Sequence, residues 1–305
     1  MPHPRDNTPS TPDRISAASI AKASTAAEAW DAHAEEYRRS FSPLTGFFAQ
    51  CLFQLAAGRL PAPARILDIA CGSGELARAA LMHRPPQSTG RAGNHVVATD
   101  LSPQMVALAQ SALAPYDTED RLRCEVHDGE ALGFDDDRFD GVFSSFGIFL
   151  FPNRAVGWQE AARVLRKGGL FGTTVWRHPE ENQLARVQME FLLEAIPERV
   201  RADLPEPAWL AISSPAGLAA EIGAAGFRDA EVAILDAMLI VPTPAQMWHA
   251  MQDNPIVRGL LVRCSDDELT GVKQHTLRRF EERAGGSDRP LYLPASCHAL
   301  IARKA

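Results

Sequence analysis

The run Ile66-Leu67-Asp68-Ile69-Ala70-Cys71-Gly72-Ser73-Gly74-Glu75-Leu76-Ala77 leads from an apolar stretch through a glycine turn into a helical pattern. Glycines are needed where backbone passes close to a ligand or adopts positive φ. The carboxyl end of a first buried strand is also where open α/β sheets bind ligands. Gly72-x-Gly74-x-x-Ala77 alone fits a dinucleotide fingerprint, so the glycines do not decide between ligands. The charges discriminate better. A pyrophosphate asks for a helix N-terminus free of carboxylates. Here Asp68 precedes the loop and Glu75 opens the helix. Two acids repel phosphate and suit a ligand bearing an ammonium and a sulfonium. Glu75 serves equally well as a favourable helix-dipole carboxylate.

Two further acids follow strand-like runs. Asp100 ends Val97-Ala98-Thr99-Asp100, where a carboxylate can accept from both hydroxyls of a ribose. Asp128 follows Glu125-Val126-His127 and can accept from an adenine amino group, with Gly129 letting the backbone come close. Asp-Gly is also an ordinary turn. Leu101 and Met105 suit an adenine pocket or the core equally.

The elements that must hold these residues alternate. Strand-like runs cover Arg65 to Ala70, Val96 to Thr99, Leu122 to Val126, Phe139 to Ser144 and Leu170 to Trp176. Helical patterns cover Glu75 to Met82, Pro103 to Leu113 and Ala155 to Leu165. This alternation predicts a parallel sheet with helices on both faces, a doubly wound α/β fold. Two more strands are expected within Glu231 to Val241 and Leu291 to Arg303. Residues 1–23, rich in Pro, Ser, Thr and Ala, read as a disordered leader. Residues 24–60 read as two helices, the first capped by Ser24 or Thr25. Residues 61–305 form the main domain, with helical insertions at 178–212 and 242–290. The stretch Pro85 to Asn94 reads as a loop insertion.

In order, these motifs resemble class I S-adenosylmethionine-dependent methyltransferases, most closely the group that includes the ubiquinone/menaquinone-type enzymes. The matches are Leu67 to Gly74, then Asp100-Leu101-Ser102 with Met105, then Asp128-Gly129. Phe139 to Ser145 and Glu160 to Gly169 complete the series. Trp30-Asp31-Ala32-His33-Ala34-Glu35-Glu36-Tyr37 resembles that group's lid helix, whose tyrosine lies over the cofactor. The resemblance implies a seven-stranded Rossmann-like sheet of order 3-2-1-4-5-7-6 with strand 7 antiparallel. It implies S-adenosyl-L-methionine as cofactor, held by Tyr37, Asp68, Ala70, Gly72, Gly74, Asp100, Leu101, Met105, Asp128, Gly129 and Ser145. Ala70 departs from the pattern, since many members have glycine there. Past residue 177 the likeness is only architectural.

That strand order brings the insertions to the cofactor edge as a cap. Phe146, Phe149, Trp209 and Trp248 would then line a pocket for a small, largely apolar or aromatic acceptor, although such residues also pack caps together. His178, just past strand 5, is the expected general base if the acceptor must lose a proton. His249 and Tyr37 are weaker candidates, and His178 also reads as a solvated loop residue. Two other readings stay open, an NAD-type oxidoreductase and a non-catalytic S-adenosylmethionine-binding partner protein.

Composition excludes much else. Of 305 residues, Lys and Arg number 31 and Asp and Glu 38, for a net charge of −7. Without a basic stripe, nucleic acid is not an expected partner. The most apolar run, Val142 to Phe151, is broken by Ser144, Ser145 and Gly147 and falls short of the ~18 residues that cross a bilayer. Five scattered cysteines without a CxxC predict reduced cytoplasmic thiols, with neither a disulfide framework nor a metal site. The expected protein is a cytoplasmic monomer or homodimer acting on a small molecule, with no membrane association.

Overall fold

The computed structural model describes residues 26–83, 93–117, 119–202, 204, 207–252 and 254–305. The leader, the cap at Ser24 or Thr25, and most of the Pro85 to Asn94 loop lie outside the described residues.

Seven strands form one sheet: β1 Arg65–Ile69, β2 His95–Asp100, β3 Leu122–Val126, β4 Phe139–Ser145, β5 Leu165–Trp176, β6 Phe227–Val241 and β7 Leu291–Lys304. Their order is β3-β2-β1-β4-β5-β7-β6, as the resemblance implied. The first five pair in parallel, while β7 runs antiparallel to β5 and β6. Central strands buried on both faces explain their near-continuous apolarity. β5 begins earlier than expected, because Leu165 pairs with Phe139 before a register shift at the Gly168-Gly169 turn. β6 likewise extends back to Phe227 through an irregularity between Arg228 and Glu231.

The helices are α1 Ala26–Ser40, α2 Ser42–Ala57, α3 Glu75–Met82, α4 Pro103–Leu113, α5 Arg154–Val164, α6 Gln183–Ala195, α7 Glu198–Arg201, α8 Pro215–Ala224, α9 Pro244–Gln252, α10 Pro255–Leu261 and α11 Asp266–Ala284. Among the described residues none is long and apolar enough to cross a membrane. Helix α2 packs on β4, β5, β6 and β7 and against α3, so it covers the sheet as well as leading into the lid. It buries Phe48, Leu52 and Phe53, and Phe53 meets Phe143 of β4 edge-on at 5.6 Å. Helix α1 packs on α4, α2, α9 and α10. Helices α6 and α11 pack together, and α9 leans on α11. The two insertions therefore share one layer.

On the opposite side of the core, Trp158 of α5 is fully buried and its ring meets Phe171 at 5.9 Å. A buried indole N–H needs an acceptor. Glu221 of α8 supplies it at 2.8 Å. The same carboxylate takes Nε and Nη2 of Arg154 at 2.7 and 2.9 Å. One side chain thus ties α5 to α8 while satisfying three N–H donors from two residues. Glu221→Ala removes all three bonds and strands the indole N–H. The expected loss is about 2 kcal/mol, read as a fall in thermal midpoint of roughly 4–8 °C.

Candidate functional site

The carboxyl ends of β1, β2 and β3 carry the site acids. Register pairs Asp68 with Ala98 and Asp100 with Val126, so the acids step across the sheet edge. Asp68 is almost fully buried and accepts the Ala77 N–H at 3.1 Å. Asp100 takes the Gly72 N–H at 2.9 Å with one oxygen and the Ser102 N–H at 3.0 Å with the other. Burial pushes the Asp68 carboxyl up, the Ala77 N–H pulls it down and the Asp100 charge raises it again, to about 8. Asp100 is raised too, chiefly by burial and against the backbone N–H groups that hold it.

Backbone conformation explains the loop composition. Ala70, Gly72 and Gly74 have φ of +55°, +53° and +89°. Ala70 therefore stands where glycine is favoured, at a cost of about 1–2 kcal/mol. Its methyl fits because Gly147 has none: a Cβ there would lie 2.5 Å from Ala70 Cβ. Gly74 answers to packing, since its Cβ would fall 2.8 Å from Leu113 Cδ1 of α4. Gly72 differs, as the only atom near its would-be Cβ is Tyr37 Cε1 at 3.8 Å. That open space is what a ligand crossing the loop would use.

A solvent-open pocket, with about 330 Å³ of space counting the open solvent at its mouth, lies between this loop and the N-terminal helices. Of the sequence-predicted cofactor residues, Tyr37, Asp68, Ala70, Gly72 and Ser145 line it. Tyr37 donates to or accepts from Thr45 Oγ1 at 2.9 Å, and Ser145 pairs with Thr174 Oγ1 at 2.9 Å. Gly74, Asp100, Leu101, Met105, Asp128 and Gly129 are not part of this lining. Asp100 lies beneath it, fixing Gly72. Leu101 is 39% exposed and Asp128 is exposed, its carboxylate taking the Glu130 N–H at 2.8 Å. Met105 is buried in α4. Gly129 is explained by Phe151, whose ring would lie 2.4 Å from a Cβ, so the close approach there is by a side chain.

Sequence reasoning passed over Ser42, Thr45 and Ser73. Ser42 and Ser73 share a hydrogen bond of 2.6 Å, joining the start of α2 to the glycine loop. Glu75 also lines the cavity, and Arg78 pairs with it at 2.6 Å. Asp31 was passed over as well. Its carboxylate accepts the Gln104 N–H at 3.0 Å and the Ser102 hydroxyl, anchoring α1 on the N-terminus of α4. The one sequence signal for Asp31 is an acid one turn from Glu28 and Glu35 on a lid-like helix.

The expected acceptor-pocket residues fall into two groups. Phe146 stacks on Trp176 at 4.1 Å, touches Phe48 at 5.7 Å and meets Phe149 at 6.5 Å, which continues to Trp209 at 6.5 Å. Trp248 is buried on α9, with its indole nitrogen lacking a hydrogen-bond partner. His178 lies half-exposed in the loop just after β5, where its Nδ1 accepts the Glu180 N–H at 3.3 Å, and it does not line the cavity. His249 is exposed, its Nδ1 held by Gln252 Nε2 at 3.2 Å.

These groups fit S-adenosylmethionine. The cradle at Gly72 would be filled by a Cβ. The side chains facing it offer carboxylate and hydroxyl oxygens, the donor set for a cation with ribose hydroxyls.

Residues 67–172 match the family described as a methyltransferase domain. A ubiquinone/menaquinone biosynthesis C-methyltransferase from Geobacter sulfurreducens is 32% identical over 133 residues, 44% of this chain and 50% of that protein. A demethylmenaquinone methyltransferase from Clavibacter sepedonicus is 38% identical over 121 residues, 39% and 44% of the two chains. The matches thus span half or less of these relatives. Among solved structures, the YcgJ protein of Bacillus subtilis aligns with TM-score 0.53 at 19% identity, covering 85% of this chain and 98% of that one. The [4+2]-cyclase SpnF aligns with TM-score 0.52 at 15% identity, covering 92% and 95%. Likeness at that level shows the shared fold.

Asp68 gives this site a pH dependence. Its folded value of about 8 lies above the ordinary 3.8, so between those limits the folded chain keeps a proton that the unfolded chain releases. The contribution to stability therefore falls as pH rises from about 4 to 8 and is level above. A bound cation favours the carboxylate, so binding releases the proton, and affinity rises with pH up to about 8. Calorimetry in buffers of different ionisation enthalpy is expected to show proton release on S-adenosylmethionine binding at pH 6.5. In Asp68→Asn that release disappears, affinity falls by about tenfold or more, and the ligand-free thermal midpoint loses its decline between pH 5 and 8.

Proposed function

We propose that this chain, whose residues 67–172 match a methyltransferase domain, is a class I S-adenosylmethionine-dependent methyltransferase of the ubiquinone/menaquinone type that transfers a methyl group to a small aromatic or apolar molecule. The observation that carries the reading is the acidic, open-backed glycine loop: Asp68 under it, Asp100 fixing Gly72, and Tyr37 across it. When bound, S-adenosylmethionine supplies a methyl group on a sulfonium, already activated for in-line displacement. The protein's part is then to bind, orient and exclude water.

Asp68, Gly72, Ser73, Glu75 and Tyr37 would hold the cofactor's charged end, and Asp100 its ribose, exchanging a backbone partner for hydroxyl donors. Ala70 and Ser145 would flank the sulfur, while Leu101, Met105, Asp128 and Gly129 would lie toward the adenine side. The connected rings of Phe48, Phe146, Trp176, Phe149 and Trp209 support an aromatic acceptor. Phe146 and Trp176 sit at the carboxyl ends of β4 and β5, where apolar walls would shed water from an acceptor. Helices from 24–60 and the segments 178–212 and 242–290 would close over it. A base at His178 requires its loop to turn inward from Glu180. A nicotinamide dinucleotide would bring its pyrophosphate against Asp68, Asp100 and Glu75, which counts against that reading.

The test is binding followed by turnover. The purified protein is expected to bind one S-adenosylmethionine per chain and not NADH. Asp100→Ala is expected to weaken that binding by about 1.5–3 kcal/mol, the scale of hydrogen bonds to a charged acceptor, while the protein stays folded by circular dichroism. Tight NADH binding without S-adenosylmethionine binding would reverse the conclusion.

A further inference from the structure

His33, in the middle of α1, is fully buried, and neither of its ring nitrogens has a hydrogen-bond partner. In the unfolded chain water serves both nitrogens, so burying them unserved is a standing cost of the ligand-free fold. Such a group is explained when a ligand supplies the missing partner. The surroundings say what kind of ligand. Trp30 and Tyr37 lie one turn to either side, their ring centroids 5.9 and 6.0 Å from the imidazole, and they meet each other edge-on at 5.9 Å. Three rings in mutual contact on one helix face make an aromatic cluster with a polar centre. Tyr37 also lines the cofactor pocket, so the cluster borders that pocket through one shared side chain.

The cap side carries the same signature. Helices α9 and α10 pack on α1. On α9, Trp248 and Gln252 stand one turn apart, and the indole nitrogen and the amide oxygen are both buried without a partner. Elements that pack together here thus hold unused donor and acceptor capacity within apolar walls. The charged group acting on His33 is the Arg258 guanidinium of α10. Burial first, and that charge second, push the imidazole down to about 4, so it is neutral and free to accept.

We propose that the junction of α1 with the cap is the methyl-acceptor subsite, that its occupant is a neutral aromatic carrying a hydroxyl, and that His33 accepts the hydrogen bond and then the proton of that hydroxyl. The proposal rests on the methyltransferase reading. The step balances within the site. The hydroxyl oxygen forms its bond to the methyl carbon while the carbon–sulfur bond breaks with its electron pair on sulfur, and the hydroxyl proton passes to a ring nitrogen of His33. Positive charge lost at sulfur reappears on the imidazole, so the net charge of the reacting groups is unchanged. His33 is thereby a catalytic residue, and its isolation from protein partners leaves it free for the acceptor.

The experiment uses the whole chain loaded with S-adenosylhomocysteine, with 1-naphthol and 1-methoxynaphthalene as probes and tryptophan fluorescence as the readout. The wild type is expected to bind 1-naphthol more tightly than its methyl ether. His33→Phe keeps the ring and deletes both nitrogens. It is expected to weaken 1-naphthol binding by about tenfold or more, to leave the ether within about twofold, and to keep or raise the ligand-free thermal midpoint. With S-adenosylmethionine, methylation of 1-naphthol by His33→Phe is expected to fall by about 10²-fold or more. His33→Gln, a second variant in case the first folds poorly, is expected to restore binding more than rate. The proposal is overturned if wild-type protein binds neither probe, if it does not prefer the hydroxyl, or if His33→Phe keeps that preference and the rate. A separate calorimetric titration with S-adenosylmethionine keeps the two claims apart. Failure there removes the methyltransferase reading itself, whereas normal cofactor binding with unchanged His33 variants removes the acceptor subsite alone.

Discussion

Asp100 reaches from the end of β2 to the Gly72 N–H at 2.9 Å, while its second oxygen holds the Ser102 N–H at 3.0 Å. That one carboxylate sets the path of the glycine loop and the start of α4 together. It also places a second buried acid, Asp68, within reach of its charge, which adds to burial in pushing against ionisation of Asp68. The parallel register of β1 and β2 makes the pairing unavoidable, because both acids end neighbouring strands. A structure that buries two carboxylates beside an open cradle is least comfortable when empty. Its natural complement is a cation with hydroxyl donors, and the neighbouring elements are arranged around that demand.

The lid is attached on related terms. Helix α1 fully buries only His33 and Ala34. Its fixed points are polar: Asp31 on Ser102 and Gln104, and Tyr37 on Thr45. An element with little buried apolar surface and a few specific bonds opens at lower free energy than the core. Helix α2 is different in kind. It buries ten of its sixteen residues against the sheet and α3, and is joined to the loop by the Ser42–Ser73 hydrogen bond. So the chain offers a firm wall and a movable one on either side of the same cavity. The movable wall carries the imidazole that the protein itself leaves without a partner.

Much of this was legible in the residues. The alternation of apolar runs and amphipathic segments gave all seven strands to within a few residues, because doubly buried parallel strands and half-buried helices write distinct periods into a sequence. The glycine loop, Asp68 and Asp100 could be placed because positive φ and strand-end acids are local requirements. Ala70 shows the limit. Its residue type said nothing of φ +55°, and the missing side chain of Gly147 that makes room for it lies seventy-seven positions away.

What tertiary structure alone decided is which side chains meet. Sequence could put Gly129 in a turn but not reveal that Phe151 presses on it. It could nominate His178 from its position after β5 but not show that its ring turns to Glu180, nor that His33 is sealed from water. Strand and helix periods are set by neighbours along the chain, so one sequence carries them. Burial of a polar atom depends on distant elements packing over it, here α9 and α10 on α1, and no spacing within α1 records that.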